Sequence, residues 1–149
     1  MNHKILAFIY DGKKFLILRN NSADSSHGGD FWFTVTGSLE KGETEEDAVK
    51  REVKEETGLD IKKIFNLNWG SIYSWDGEKN SEDNFLVFAY SGKVVLNEEH
   101  IEYEWLSLKD FVKKIKWYEN REELEKVLRN GIKKRLFFND KEIKIFKEK

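Results

Sequence analysis

The chain contains no cysteine. That excludes a disulfide framework and any zinc site built on thiolates. It has no run of about 20 apolar residues of the kind that spans a bilayer. Its opening, MNHKILAFIYDGKK, does not read as a cleavable signal. A cytoplasmic protein with no membrane partner is expected. No internal repeat or low-complexity linker divides the 149 residues, and that length lets one ordinary domain bury its own core. A single domain over 1–149 is therefore expected. Histidine is scarce, at three residues, and His3 and His100 have neither ligand spacing nor cysteine partners, so they suggest no metal site. His27, in SSHGGD, reads as part of a mobile surface loop.

What is abundant is charge, and it is unevenly placed. The net value is only −2, yet residues 37–60 carry nine acids against four bases, while residues 129–149 carry eight bases against three acids. The basic tail reads either as solvated surface or as a nucleic-acid contact, and the former makes nucleic acid an unlikely partner.

Apolar periodicity gives the element order. KILAFIY and FLILR are short β-branched and aromatic runs around the turn DGKK, a hairpin signal. FWFTVT reads as a further strand, as do IFNLNWGSIYSW, NFLVFAYSGKVV and IEYEWLS. TEEDAVKREVKEET, LKDFVKKIK and REELEKVLRN read as helices, and the tail after Gly131 fits either a strand pair or a helix. The class is α/β (α+β), with a mixed sheet covered by helices.

Within GSLEKGETEEDAVKREVKEETGLD, Thr44 and Asp47 are spaced to cap a helix, Glu45 and Glu46 suit its positive end, and Gly58 suits a left-handed C-cap. Glu52, Glu55 and Glu56 have no such excuse, because they occupy the last two turns. At about 100° per residue they share an arc of about 100° with Ala48, next to Val49, on the half expected to face inward. Carboxylates that close repel unless a cation sits among them, and clustered hard oxygens suit Mg²⁺ or Mn²⁺. The bland alternative is an acidic surface helix offset by Lys50, Arg51 and Lys54.

The spacing decides between them. Gly37, five residues, Glu43, seven residues, Arg51-Glu52-Val53, one residue, Glu55-Glu56, one residue, Gly58-Leu59 fits the Nudix box (37–59) at every specified position. Seven typed positions match by chance only about once in a hundred million starts at usage of roughly 7% each. The chain thus resembles a Nudix hydrolase. The resemblance implies a mixed sheet between helices, with the box as its loop–helix–loop, and Mg²⁺-dependent hydrolysis (Mn²⁺ as an alternative) of a diphosphate linked to another moiety. It implies that Glu52 and Glu56 bind metal, with Glu55 as ligand or base. Arg51 orients a glutamate, Glu43 braces the loop to the helix, and Gly37 offers its carbonyl to the metal.

FWFTVTGSLEKGE, EEHIEYEWLSLKD and KWYENREELE further resemble the dihydroneopterin triphosphate (dATP) pyrophosphohydrolase branch of that family. The branch implies Glu99 as an additional metal ligand, with Glu98 as its rival, and Arg19 and Thr36 as substrate contacts. Arg19 equally suits a solvated strand end. Trp32, Trp117 and Tyr118 are candidates to stack on a pterin or purine, or else core and lid residues. The loop at 20–30 and the tail FFNDKEIKIFKEK depart from the branch. The expectation is a monomeric or homodimeric pyrophosphohydrolase acting on a small-molecule di- or triphosphate, specifically a pterin or nucleoside triphosphate. A diadenosine polyphosphate hydrolase is the alternative, followed by a non-catalytic nucleotide- or RNA-binding domain.

Overall fold

The sheet is assembled around β1 (Asn2–Tyr10), whose residues Ile5 to Ile9 are completely buried. A strand this apolar on both sides needs cover on both faces. Ile5, Ala7 and Ile9 face one side and Leu6 and Phe8 the other, as the two-residue period requires. β2 (Phe15–Asn20) returns antiparallel after a turn in which Asp11 Oδ1 accepts from the N–H groups of Lys13 and Lys14 at 2.9 and 2.8 Å. β1 then pairs antiparallel with β4 (Val35–Ser38) and parallel with β6 (Glu78–Ala89). β5 (Ile61–Trp75) lies antiparallel on β6, while β3 (Trp32–Phe33) and β7 (His100–Leu106) both pair with β2. The result is a seven-stranded mixed sheet.

This computed structural model describes residues 1–21, 30–75, 77–116, 120–137 and 143–145. His27, Trp117 and Tyr118 lie outside the described residues.

Helix α1 (Glu45–Thr57) lays Ala48, Val49 and Val53 on the face of Ile5, Ala7 and Ile9. Helices α2 (Leu108–Lys114) and α3 (Arg121–Ile132) cover the other face with Phe111, Val112, Leu124, Val127 and Leu128. Arg121 joins these two helices by donating to the carbonyls of Val112 and Ile115 at 2.5 and 2.6 Å. The expected mixed sheet between helices is what forms. Among the described residues no helix is long and apolar enough to cross a membrane.

Three segments differ in detail. FWFTVT is two strands, broken at the buried Thr34, whose hydroxyl donates to the carbonyl of Ala7 at 2.6 Å; β3 joins β2 and β4 joins β1. The strand in NFLVFAYSGKVV stops at Ala89, because Val94 leaves the sheet to enter the core beside α1. The tail resolves into a strand pair, β8 (Arg135–Phe137) against β9 (Ile143–Ile145).

The seam between α1 and β6 contains a like-charge contact. Glu45, in the first turn of α1, is pushed up to about 7 by its hydrogen bond with Asp83 of β6 and by partial burial. An acid whose folded pKa lies above its unfolded value makes the native state bind the extra proton, so stability falls as pH rises from about 4.5 to 7. Glu45→Gln keeps a hydrogen bond to Asp83 without the second charge. Its melting temperature is expected to match wild type near pH 4.5 and to exceed it at pH 8, by the equivalent of about 1 kcal/mol after solvent screening. A constant difference across that range, read by thermal denaturation, would contradict the shared proton.

Candidate active site

Caps fix α1 at both ends. Thr44 Oγ1 accepts from Asp47 N–H at 3.1 Å while Asp47 Oδ2 accepts from Thr44 N–H at 3.2 Å, the reciprocal box read from the sequence. Gly58, at φ 71°, closes the C-terminus with its N–H on the Lys54 carbonyl at 3.0 Å.

Between the caps, Arg51 ties the preceding loop to the helix. Its Nε and Nη2 donate to Glu43 Oε2 and Oε1 at 2.7 and 2.9 Å, a bidentate fork. Nη2 also donates to the Ser38 carbonyl at 3.0 Å and Nη1 to Glu52 Oε1 at 2.6 Å. The Arg51 guanidinium and the Glu40 N–H hold the Glu43 carboxyl well below its usual range, at about 2. Gly37, at the end of β4, faces Glu52 so closely that a Cβ there would lie 2.3 Å from Glu52 Cδ. Glycine at this position is thus a condition for the place Glu52 occupies.

Glu56 departs most from ordinary burial. It is 1% exposed, on the side of α1 that packs Val49 and Val53, and its Oε2 has no hydrogen-bond partner among the described residues. Burial, then Glu52 beside it, then the charges of Glu99 and Glu55, push its carboxyl well above the usual range. The segment after β6 brings the partners. Val95 N–H donates to the Thr57 carbonyl at 2.8 Å, which anchors this segment at the end of α1, and Asn21 N–H donates to the Glu99 carbonyl at 2.9 Å. Glu99 and His100 arrive beside Glu56, and one ligand atom from each of the three lies within 4.8 Å of the others.

The remaining candidates sort by face. Of the three helix carboxylates, Glu52 and Glu56 turn inward, at 13% and 2% side-chain exposure, whereas Glu55 does not, at 55%. Glu98 and Glu99 are both exposed; Asn21 Nδ2 donates to the Glu98 carbonyl at 3.3 Å, and only Glu99 joins the group around Glu56 among the described residues. Thr36 donates its hydroxyl to the Ile5 carbonyl at 3.1 Å. Arg19 is held by Asp30 at 2.9 and 2.7 Å and by Glu102 at 3.0 Å. Its strand neighbour Trp32 lies under the Lys114 ammonium, 3.9 Å from the ring centre, and packs with the α2 and α3 cluster. Arg19 and Trp32 are therefore grouped with α2 and its neighbours, and not with the carboxylates on α1.

Three residues were missed. His100 had no ligand spacing along the chain; its partner Glu56 belongs to a different element, which only the fold brings near. His100 thus belongs to a group that could hold an ion, where spacing along the chain suggested none. Tyr103, 39% exposed, and Ile101, 48% exposed, share the alternation of Trp105, which packs into the α1-side cluster. They are exposed apolar side chains in the strand that begins at His100.

The donor set fits a divalent cation. Carboxylates converge, one buried oxygen is orphaned, and the only side chain that fits at position 37 is hydrogen. Like charges in a dry site are unfavourable alone, and a divalent ion reverses that balance.

A loop–helix–loop that buries Glu56 and half-buries Glu52 against a mixed sheet, with Glu99 brought alongside, is a candidate divalent-cation site. The NUDIX domain family model matches residues 3–128, and the chain belongs to the Nudix family. It is 30% identical over 144 residues to the dihydroneopterin triphosphate diphosphatase of Escherichia coli, covering 85% of this chain and 92% of that protein. It is 37% identical over 93 residues to the NAD-capped RNA hydrolase NudC of Haemophilus influenzae, but that match spans only 34% of the relative's length. The solved E. coli dihydroneopterin triphosphate pyrophosphohydrolase superposes with a TM-score of 0.69 at 28% identity over 86% of this chain and 95% of that one. MutT from Methanosarcina mazei superposes with a TM-score of 0.74 at 26% identity over 87% and 94%.

Gly37→Ala tests the site's steric condition. Its backbone suits alanine, since Gly37 is not among the positive-φ residues, so the variant should fold with an unchanged circular-dichroism spectrum. The added Cβ displaces Glu52, and kcat/KM for anhydride hydrolysis is expected to fall about 10²-fold. Wild-type kinetics would show that Glu52 does not act from this position.

Proposed function

We propose that the protein, as one domain, uses Mg²⁺ or Mn²⁺ to hydrolyse a pterin or nucleoside triphosphate to the monophosphate and pyrophosphate. The observation that carries this reading is the buried Glu56 carboxyl, its Oε2 without a partner among the described residues, with Glu99 within reach and Glu52 seated against Gly37 one turn before it. An acidic surface helix would not bury that oxygen. Glu52, Glu56 and Glu99, with the Gly37 carbonyl, are the residues that would hold the ion. When bound it neutralises phosphate charge and lowers the pKa of water.

The chain's own groups do the rest. Arg51 fixes Glu52 through the 2.6 Å hydrogen bond and fixes the loop through Glu43. The water oxygen forms its bond to the α-phosphorus, the bond from that phosphorus to the bridging oxygen breaks, and pyrophosphate leaves with the electron pair. The water proton passes to a carboxylate, and Glu55 is best suited, because it is the most exposed of the three on α1. Tyr103 and Ile101 offer an apolar surface for a single flat ring on the α1 side. Likeness to the dihydroneopterin triphosphate diphosphatase over most of both chains supports that substrate class. The partial likeness to an NAD-capped RNA hydrolase makes dinucleotide pyrophosphates the competing class.

Two tests follow from this assignment. Excess chelator should abolish turnover and Mg²⁺ or Mn²⁺ restore it; Glu99→Gln should lower kcat/KM about 10²-fold, with Glu98→Gln within about twofold of wild type. The reverse order for the two glutamates would shift the ligand by one residue. In a substrate screen, dihydroneopterin triphosphate or a deoxynucleoside triphosphate should exceed diadenosine tetraphosphate and NAD by at least about tenfold in kcat/KM, a difference of about 1.4 kcal/mol. Heavy-oxygen label from water should appear in the monophosphate. Preference for diadenosine tetraphosphate, with ATP and AMP as products, would refute the substrate and leave the family assignment standing.

A further inference from the structure

The box and the branch pattern account for the carboxylates, but His100 is outside both as a ligand. Its side chain is 8% exposed, its Nδ1 has no partner among the described residues, and its Nε2 lies 3.7 Å from Glu56 Oε1. That separation is too long for a hydrogen bond. One ion can bridge the two atoms after a small closure, since neighbouring donors about 2.1 Å from an octahedral cation stand about 3.0 Å apart. A buried ring nitrogen without a hydrogen bond, as Nδ1 is here, otherwise costs about 1–3 kcal/mol.

The backbone shows that this placement is built. In a regular strand Glu99 and His100, being adjacent, would point to opposite faces. Here both reach Glu56, because Glu99 stands in the turn before β7 and the β2–β7 register shifts between Arg19 and Asn20, opposite His100. Such an irregularity re-aims a side chain, and it falls at the one point where the ligand group needs it.

We propose that His100 gives an imidazole nitrogen to the divalent ion held by Glu56 and Glu99, so that the centre is a mixed nitrogen and oxygen site favouring Mn²⁺ over Mg²⁺. This rests on the metal-dependent reading of the same carboxylates. Carboxylate oxygens alone suit Mg²⁺, which tolerates imidazole poorly, whereas a nitrogen ligand gains affinity for first-row transition ions.

Pulsed electron paramagnetic resonance of the protein loaded with Mn²⁺ tests it. Wild type is expected to show ¹⁴N modulation from a directly bound imidazole, and His100→Gln to lose it. In the same variant the Mn²⁺ dissociation constant should rise about 10-fold or more, while that for Mg²⁺ changes less than about threefold. Should the variant fail to fold, the wild-type spectrum decides alone. Bound Mn²⁺ without ¹⁴N modulation would overturn the histidine ligand and leave the carboxylate centre intact. A spectrum of free aqueous Mn²⁺ would overturn the metal-dependent reading as well.

Discussion

The arrangement of the α1 face turns on one buried carboxylate. Glu56 occupies a position on α1 where an amphipathic helix would place an apolar residue, at 1% exposure and with Oε2 unpartnered. An unsatisfied buried group costs about 1–3 kcal/mol, more if charged, so the rest of the α1 side has to make that position worth keeping. Glu52 stands one turn before it, Glu99 reaches it from the segment after β6, and Gly37 leaves the room that Glu52 fills. Among the described residues Arg51 makes no hydrogen bond to Glu56, but it fixes Glu52, Glu43 and the Ser38 carbonyl relative to one another. The geometry around Glu56 thereby becomes rigid before any substrate arrives.

The sheet divides labour between its faces. Under α2 and α3 lie the large aromatics, with Phe111 at 6.0 Å from Phe8 and 5.2 Å from Phe15 between ring centres, and this side is packing. On the other face α1 packs Ala48, Val49 and Val53 against Ile5, Ala7 and Ile9, and it is this helix that carries the carboxylates. Two of the candidate substrate residues fall on the packing side: Arg19, read from the branch pattern, is occupied by Asp30 and Glu102, and Trp32, read as a stacking ring, by Lys114.

Much of this was legible in the chain. The caps of α1, the Arg51–Glu43 brace and the crowding of Glu52 and Glu56 are local, set by spacings along one helix and its flanking loops, and they form as read. The element order was legible because each strand carries its own apolar run. Three things were not. Thr34 splits a continuous β-prone run because its hydroxyl finds Ala7, a partner 27 positions away. Glu55 shares the arc of Glu52 and Glu56, yet it stands at the rim of the sheet contact and stays open to solvent. His100 joins Glu56 through a strand irregularity and a loop crossing, and no spacing along the sequence encodes either. Sequence distance hides a ligand whenever the fold, rather than one element, supplies the proximity.

The central claim is that Glu56 is kept for an ion and not for the fold. Thermal denaturation of Glu56→Gln and wild type, each with chelator and with millimolar Mn²⁺, tests it most directly. Replacing the buried acid by a neutral isostere removes its desolvation cost, so the variant should melt above wild type in chelator. Mn²⁺ should then raise the wild-type midpoint through binding to the native state and leave the variant almost unmoved. A variant that melts well below wild type in chelator, with both proteins indifferent to Mn²⁺, would make Glu56 a structural acid and contradict the account.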